Sequence, residues 1–371
     1  MAERLLSSNF DIIFLILSLL PTETLLRVQT VCRTWAQVIS DPVFIRTHCS
    51  LPAPITALLV LRDPFFYNQR DLIPIQEGYK FPSSISDILS SSFEVVSSNH
   101  GILCFRHGMV FVVGNPVTSS WSFVRYAHPN FSEYKYHDVA LIYEPTISLN
   151  FKLVLAWIIF DHSEGNYCIQ LHIYSSETCS WTISSLFIEW FVIIGSIYEE
   201  IRVMKLEPCK IGGGSVCWID RFGDLVGYEI STDTCWKTPL PQPCNDAQSE
   251  CLSSYDNIIY FTKIDDVVAK VWRLEGKDSW VFEGECSSEE LRQFVPHPYV
   301  YDRARKALLI GDRTNEKLFA LHLSSSRLEI LSQGVEFPTL FDSTSVAHGN
   351  TLAPFRGVET GMDGFARELA H

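Results

Sequence analysis

The chain has 371 residues, 47% of them hydrophobic, 13% aromatic and 19% charged, a composition that suits one large, well-filled core or two ordinary domains. Its 29 Lys and Arg against 43 Asp and Glu leave a net charge of −14, a field that repels phosphate backbones, and no basic patch is segregated along it, so nucleic acid is not an expected ligand. Eleven cysteines, an odd number with no C-x-x-C spacing, exclude a zinc ribbon and a dithiol redox motif. Several of them, such as Cys32, Cys104 and Cys217, sit inside apolar runs where a free thiol behaves as a small hydrophobe, which points to a reducing compartment, cytoplasmic or nuclear.

The chain begins with Arg4 and the run "IIFLILSLL", which superficially resembles a secretory leader. Asp11 abuts the run, "PTET" offers no small-residue cleavage site, and nine apolar residues, Ile12 to Leu20, fall far short of the ~20 needed to span a bilayer. Neither a leader nor a membrane span is expected. From Leu25 onward, Leu25, Val28, Cys32, Trp35 and Ile39 fall at helical offsets along one stripe of a helix, or of two helices joined end to end. Thr22 is a candidate N-cap, and Pro42 after Asp41 is a stop. So small a helical module cannot bury all this apolar surface alone, and the surplus implies a partner.

Residues 8 to 48 resemble an F-box, whose form runs Leu-Pro-x-Asp-Leu-Leu-x-x-Ile-Leu-x-x-Leu-Pro, then Val-Cys-x-x-Trp, then Ile-x-Asp-Pro-x-Phe. This chain supplies Asp11, Ile12, Ile13, Ile16, Leu17, Leu20, Pro21, Leu25, Val31, Cys32, Trp35, Ile39, Asp41, Pro42 and Phe44. Ser8 and Asn9 stand where the family has its first Leu-Pro pair. The resemblance implies adaptor contact through Ile12, Ile16, Leu17, Leu20, Pro21, Leu25 and Val31, with Cys32, Trp35 and Ile39 in the core of the module.

After the Pro-containing joint "LPAPI" the pattern changes to short alternating or apolar runs separated by Gly, Asn, Asp and Ser, the signature of many short strands. An internal repeat is anchored on a bulky residue: "VVGNPVTSSW", "HIYSSETCSW", "GYEISTDTCW" and "VWRLEGKDSW" end at Trp121, Trp181, Trp236 and Trp280, and "FALHLSSSRL" ends at Leu328. Each unit reads as a hairpin, and spacings of this order suit β-propeller blades, whose repeats run to roughly 40 to 50 residues. The expected architecture is mainly β: an α-helical N-terminal module over 1–50 and a propeller of six or seven blades over 51–371, with 350–371 as a frayed tail. An irregular β-sandwich is the alternative. "SSNHGILCF" followed by "GNPVTSSW" resembles elements of the kelch-like F-box-associated domain of plant F-box proteins, and "FKLVLA", "GGSVCWI" and "DLVGYEISTDTCWKTPLP" match its later strands loosely.

Chemistry is hard to find. "DHSEG" (residues 161–165) sits between strand-like runs as a turn, "GGGS" (residues 212–215) lacks the Lys and helix of a phosphate loop, and His100 and His107 have no third metal ligand nearby. No catalytic residue, metal or cofactor is therefore expected. The two resemblances together imply a subunit that recruits targets to a ubiquitin ligase: the N-terminal module binds a Skp adaptor and through it a cullin scaffold, and the propeller holds an unidentified target protein at residues the sequence does not reveal. Two alternatives stay open: a propeller that sequesters partners without engaging a ligase, and a propeller enzyme using convergent carboxylates drawn from Asp138, Asp220, Asp224, Asp265 and Asp302.

Overall fold

The computed structural model describes residues 11–51, 55–61, 70–75, 85, 88, 93–126, 135–161, 166–190, 207–209, 214–220, 223–242, 250–255, 258–312, 315–333, 345–354 and 356–357. The N-terminal module comprises four short helices: α1 over residues 11–18, α2 (Thr22–Val28), α3 (Arg33–Ile39) and α4 (Pro42–Cys49). The stripe from Leu25 to Ile39 is thus split between α2 and α3, with Cys32 as the extended residue before α3. Asp41 caps α4, its Oδ1 accepting from the Val43 amide at 2.7 Å, and Pro42 occupies the first helical position, where its missing N–H costs nothing. Pro42 therefore starts a helix as well as ending one. Thr22 does not cap α2: Pro21 holds that position, and the Thr22 hydroxyl donates instead to the carbonyl of Asn350 at 3.1 Å.

The body is a β-propeller. Its first sheet has the order β2-β1-β23, from β1 (Ala57–Leu61), β2 (Arg70–Pro74) and the chain-closing β23 (Ser345–His348). Five four-stranded antiparallel blades follow in chain order. They are built from β3 (Glu94–Asn99) to β6 (Ser120–Arg125), β7 (Lys135–Glu144) to β10 (Ser180–Trp190), β11 (Glu207–Cys209) to β14 (Thr234–Pro239), β15 (Glu250–Tyr255) to β18 (Ser279–Ser287), and β19 (Pro296–Asp302) to β22 (Leu328–Gln333). The first strands of successive blades face one another around the centre. The ring closes where Ile55, Leu58 and Ile75 pack on Tyr299, Leu309 and Leu318, and where the Ile55 amide donates to Asp302.

Among the described residues five four-stranded blades, rather than the expected six or seven, account for most of the body. The length is absorbed by strands as long as β8 (Ser148–Asp161), 14 residues, and by a sheet of three described strands made from the two ends of the domain. Apolar layers lie between neighbouring sheets, as where Val154, Ile169 and Leu171 of one blade meet Val216, Trp218 and Tyr228 of the next. A middle strand such as β20 (Ala307–Asp312) is buried along its whole length, which is why it reads as a continuous apolar run rather than an alternation.

The repeat found in the sequence marks the outer hairpin of every four-stranded blade. Trp121, Trp181, Trp236, Trp280 and Leu328 each open, or nearly open, the fourth strand, paired across the ladder with Gly114, Tyr174, Gly227, Leu274 and Leu321. In four of the five turns the residue just before the fourth strand, or one residue before that, is left-handed: Ser119, Cys179, Asp233 and Ser326 have φ between 51° and 54°. In two blades the Trp ring lies flat over glycine, and a Cβ on Gly114 would come within 2.1 Å of the Trp121 ring. The indoles also tie blades together. Trp181 Nε1 donates to the carbonyl of Arg125 at the end of β6, and Trp280 Nε1 to that of Pro239 at the end of β14.

Candidate functional site

The helical module presents an apolar face to solvent. Ile12, Leu15, Ile16, Leu19, Val31 and Val43 are exposed, with Leu19 at 75% and Val31 at 64%. Ile12, Leu15, Ile16 and Leu19 recur at the spacing of one helical side, so these four form a shared apolar stripe, with Val31 and Val43 exposed on other parts of the same module; an exposed apolar stripe of this kind is characteristic of protein-binding faces. Of the residues assigned to adaptor contact by resemblance, Ile12, Ile16, Pro21 and Val31 are on the surface and Leu20 is half-buried. Leu17 and Leu25 are not: both are wholly buried in the core of the module with Val38, Ile39 and Phe44. They hold the face up from beneath rather than forming part of it. Among the residues assigned to the core, Ile39 is buried and Trp35 packs against the cluster half-exposed, whereas Cys32 is exposed between α2 and α3. Sequence periodicity missed Leu15 and Leu19 because α1 and its end are apolar on nearly all sides, so the spacing alone does not say which side is the core; Val43 stands early in α4, outside the stripe the spacing singled out. Ser8 and Asn9 lie outside the described residues.

Behind this face the helical module is joined to the propeller by a segment whose sequence suggests only a frayed tail. Residues 349–354 leave β23 and run between the two parts, and Asn350, Thr351, Leu352 and Ala353 are buried there. Over residues 350–353 the expected fraying is not found, for a physical reason: the segment carries little pattern of its own but fills a gap that both sides shape, while residues 358–371 of the expected tail lie outside the described residues. Leu352 completes the helical core beside Leu17, Leu25 and Phe44. On the propeller side Asn115, itself fully buried, donates through Nδ2 to the carbonyls of Thr351 at 3.1 Å and Ala353 at 3.0 Å, and its Oδ1 accepts from the Val117 and Thr118 amides of its own turn. The His100–Gly101 hairpin has φ of 43° and 76°, and a Cβ on Gly101 would stand 2.3 Å from the Thr351 methyl, so glycine serves both the turn and the passage of this strap, residues 349–354.

A polar chain crosses the same joint. His348 is buried with Nδ1 against Ser98 Oγ and Nε2 against Asn350 Oδ1, both at 3.2 Å, and Asn350 Nδ2 donates to Glu23 of α2. Burial pulls the His348 pKa down to about 4, so the ring is neutral at pH 7, donating to the amide oxygen and accepting from the serine.

The carboxylates considered for catalysis do not converge. Asp302 is fully buried at the ring closure, bound to Arg305 and the Ile55 amide; Asp220 and Asp224 share Lys237 at a hairpin end; and Asp265 lies on the surface near Lys263. Asp138 accepts from its neighbour's amide on β7. Gly214 of the "GGGS" bend precedes β12 (Ser215–Ile219) with φ of 97°, and most of "DHSEG" lies outside the described residues. His107 packs against Phe93, its ring centroid 5.3 Å away. No group of three or more metal-ligating side chains occurs among the described residues.

The sequence model of the family described as "F-box protein At3g26010-like, beta-propeller" matches residues 79–337. The chain belongs to that family. A second model, "F-box-like", matches residues 10–50, the segment that forms the four helices. Curated relatives from Arabidopsis thaliana include "F-box protein At1g49990", 23% identical over 320 residues that cover 71% of this chain and 72% of that protein. "Putative F-box/kelch-repeat protein At4g22430" is 23% identical over 335 residues, 85% of this chain and 78% of its own length. The F-box and the propeller thus coincide with the two parts of the molecule, and the exposed apolar face belongs to the F-box.

Proposed function

We propose that this F-box propeller is a target-recruiting, non-catalytic subunit of a Skp–cullin–F-box ubiquitin ligase. The observation that carries the reading is the apolar face of the F-box, built on Ile12, Leu15, Ile16, Leu19 and Val31 and left open to solvent while Leu17, Leu25 and Phe44 fill the core behind it. Such a face is the surface a Skp adaptor covers, and the adaptor in turn links to the cullin. The strap contacts the His100–Gly101 hairpin and the Asn115 turn, which in an antiparallel blade lie at the same end of the ring. The hairpin turns of the other end, at Gly108 and Asp266, are then available to a target protein. The subunit's contribution is proximity: it raises the effective concentration of a target beside the conjugating enzyme and needs no reacting group of its own. Nine of the cysteines are free thiols, which supports action in the cytoplasm or nucleus.

The test is co-purification of the full chain with a plant Skp adaptor, beside an Ile12→Asp, Ile16→Asp double variant. Both side chains are more than half exposed, so the variant should fold and melt as the parent does while losing the adaptor. A folded parent that binds no adaptor would leave a propeller that sequesters its partners as the better account.

A further inference from the structure

An F-box on a loose tether could bind its adaptor equally well, so the buried strap calls for its own explanation. Residues 349–354 touch the F-box on one side and two hairpins of the β3–β6 blade on the other, and the chain beyond them is anchored again, where the Arg356 amide donates to the Leu149 carbonyl at 2.7 Å. Tyr143 donates its hydroxyl to the Pro354 carbonyl at 2.5 Å, from the neighbouring blade. On the propeller side Ala353 packs into the apolar cluster of Ile102, Phe111 and Tyr143, and directional contacts fix it there: two amide hydrogen bonds from Asn115, one phenol and one backbone pair. The F-box side supplies an apolar plug, Leu352, together with Thr22 and Glu23 bonded to Asn350 and Cys49 Sγ lying 3.2 Å from Thr351 Oγ1. A segment pinned in this way on two bodies permits one relative orientation of them.

We propose that residues 349–354 are a positioning strap that fixes the direction of the F-box's adaptor face relative to the propeller, with Asn115 and Leu352 as its positioning residues. The use of that fixed direction, though not its geometry, rests on the ligase reading: a target held by the propeller is presented at one place and not swept through many. The strap also makes a stretch from beyond the last propeller strand part of the F-box core, so the F-box is completed only after the propeller has been synthesised.

Hydrogen exchange on the full chain tests this, with and without a plant Skp adaptor. Asn115→Asp is the sharpest variant. It keeps the acceptor that serves the Val117 and Thr118 amides but turns a carboxylate oxygen toward the Thr351 and Ala353 carbonyls. Loss of those two bonds should speed exchange in α2 and α4 about tenfold or more while β7 to β10 keep the parent rate. Leu352→Ala should do the same from the other side of the strap. In the parent, adaptor binding should raise the melting temperature of the propeller, because the two bodies unfold together, and in Asn115→Asp that transfer should be lost. Unchanged exchange in the F-box of both variants would overturn the proposal, as would equal acceleration in the F-box and the propeller. Should the parent bind no adaptor, the ligase reading fails, and the exchange rates still decide the strap.

Discussion

The F-box and the propeller solve the burial problem in opposite ways. The propeller packs sheet against sheet around a ring, so its apolar layers have propeller on both sides, as between the β7–β10 and β11–β14 blades. The F-box has helices of seven or eight residues, too short to be stable alone, and it leaves Leu15, Leu19 and Val31 in water while taking Leu352 from outside itself for its core. Self-sufficient packing makes a platform, and incomplete packing makes a joint open at one side to a partner and at the other to the propeller.

The sharpest way to break that contrast is to remove Phe44, which is fully buried, meets Phe14 edge-on at 5.1 Å and stacks on His48 at 6.0 Å. Phe44→Ala should cost about 3 to 5 kcal/mol of F-box stability, enough to melt the helices while the propeller keeps its strand signal in circular dichroism, its transition lowered only by the loss of its coupling to the F-box. His48 Nε2 also lies 3.0 Å from the Leu20 carbonyl, so this loss should spread to α1.

A second expectation concerns pH at the joint. His348 has a folded pKa near 4 against an unfolded value of 6.5, so between those values only the unfolded chain takes up the proton. Its contribution is therefore complete above pH 6.5 and declines as pH falls toward 4, by about 3 kcal/mol at most given the size of the shift. Chemical denaturation at pH 7.5 and pH 5 should show the difference, and His348→Gln should flatten it. A pH-independent midpoint over that range would place His348 in water rather than in the joint.

Two smaller effects probe the propeller. Gly114→Ala drives a methyl into the Trp121 ring and should cost about 1 to 3 kcal/mol, read as a lower denaturation midpoint with no change in adaptor binding. Trp181→Phe keeps the aromatic packing on Tyr126 and Tyr174 but loses the indole bond to Arg125, for about 0.5 to 1.5 kcal/mol. If it costs nothing, the indole bond contributes nothing to blade cohesion, and only the ring's bulk explains the repeat.

What the sequence made legible was local. The turn-and-Trp frame identifies the outer hairpin of each four-stranded blade, because a left-handed turn residue and a bulky neighbour recur at nearly fixed spacing. The F-box helices show through the apolar stripe, Asp41 and Pro42. Pairings between distant segments were not legible: β1 meets β23 across almost the whole domain, and β23 is only four residues long, so the first sheet and the blade count could not be read from spacing. The strap escaped for the same reason, since Asn350, Thr351 and Ala353 gain their roles from Glu23, Asn115 and Gly101, more than two hundred residues away. Leu17 could not be sorted from Ile16 and Leu19 by periodicity, because which side of an all-round apolar helix faces inward depends on Phe44 and Leu352.

The central claim is that the F-box face serves ubiquitin transfer, and the most direct measurement is reconstitution of the full chain with a plant Skp adaptor, a cullin with its RING partner, a conjugating enzyme and ubiquitin. The account predicts ubiquitin transfer that depends on the chain, read on its own propeller lysines in the absence of a target, and that is abolished by Ile12→Asp with Ile16→Asp. A complex that assembles on the F-box face yet supports no transfer, or transfer that the double variant leaves untouched, would contradict it.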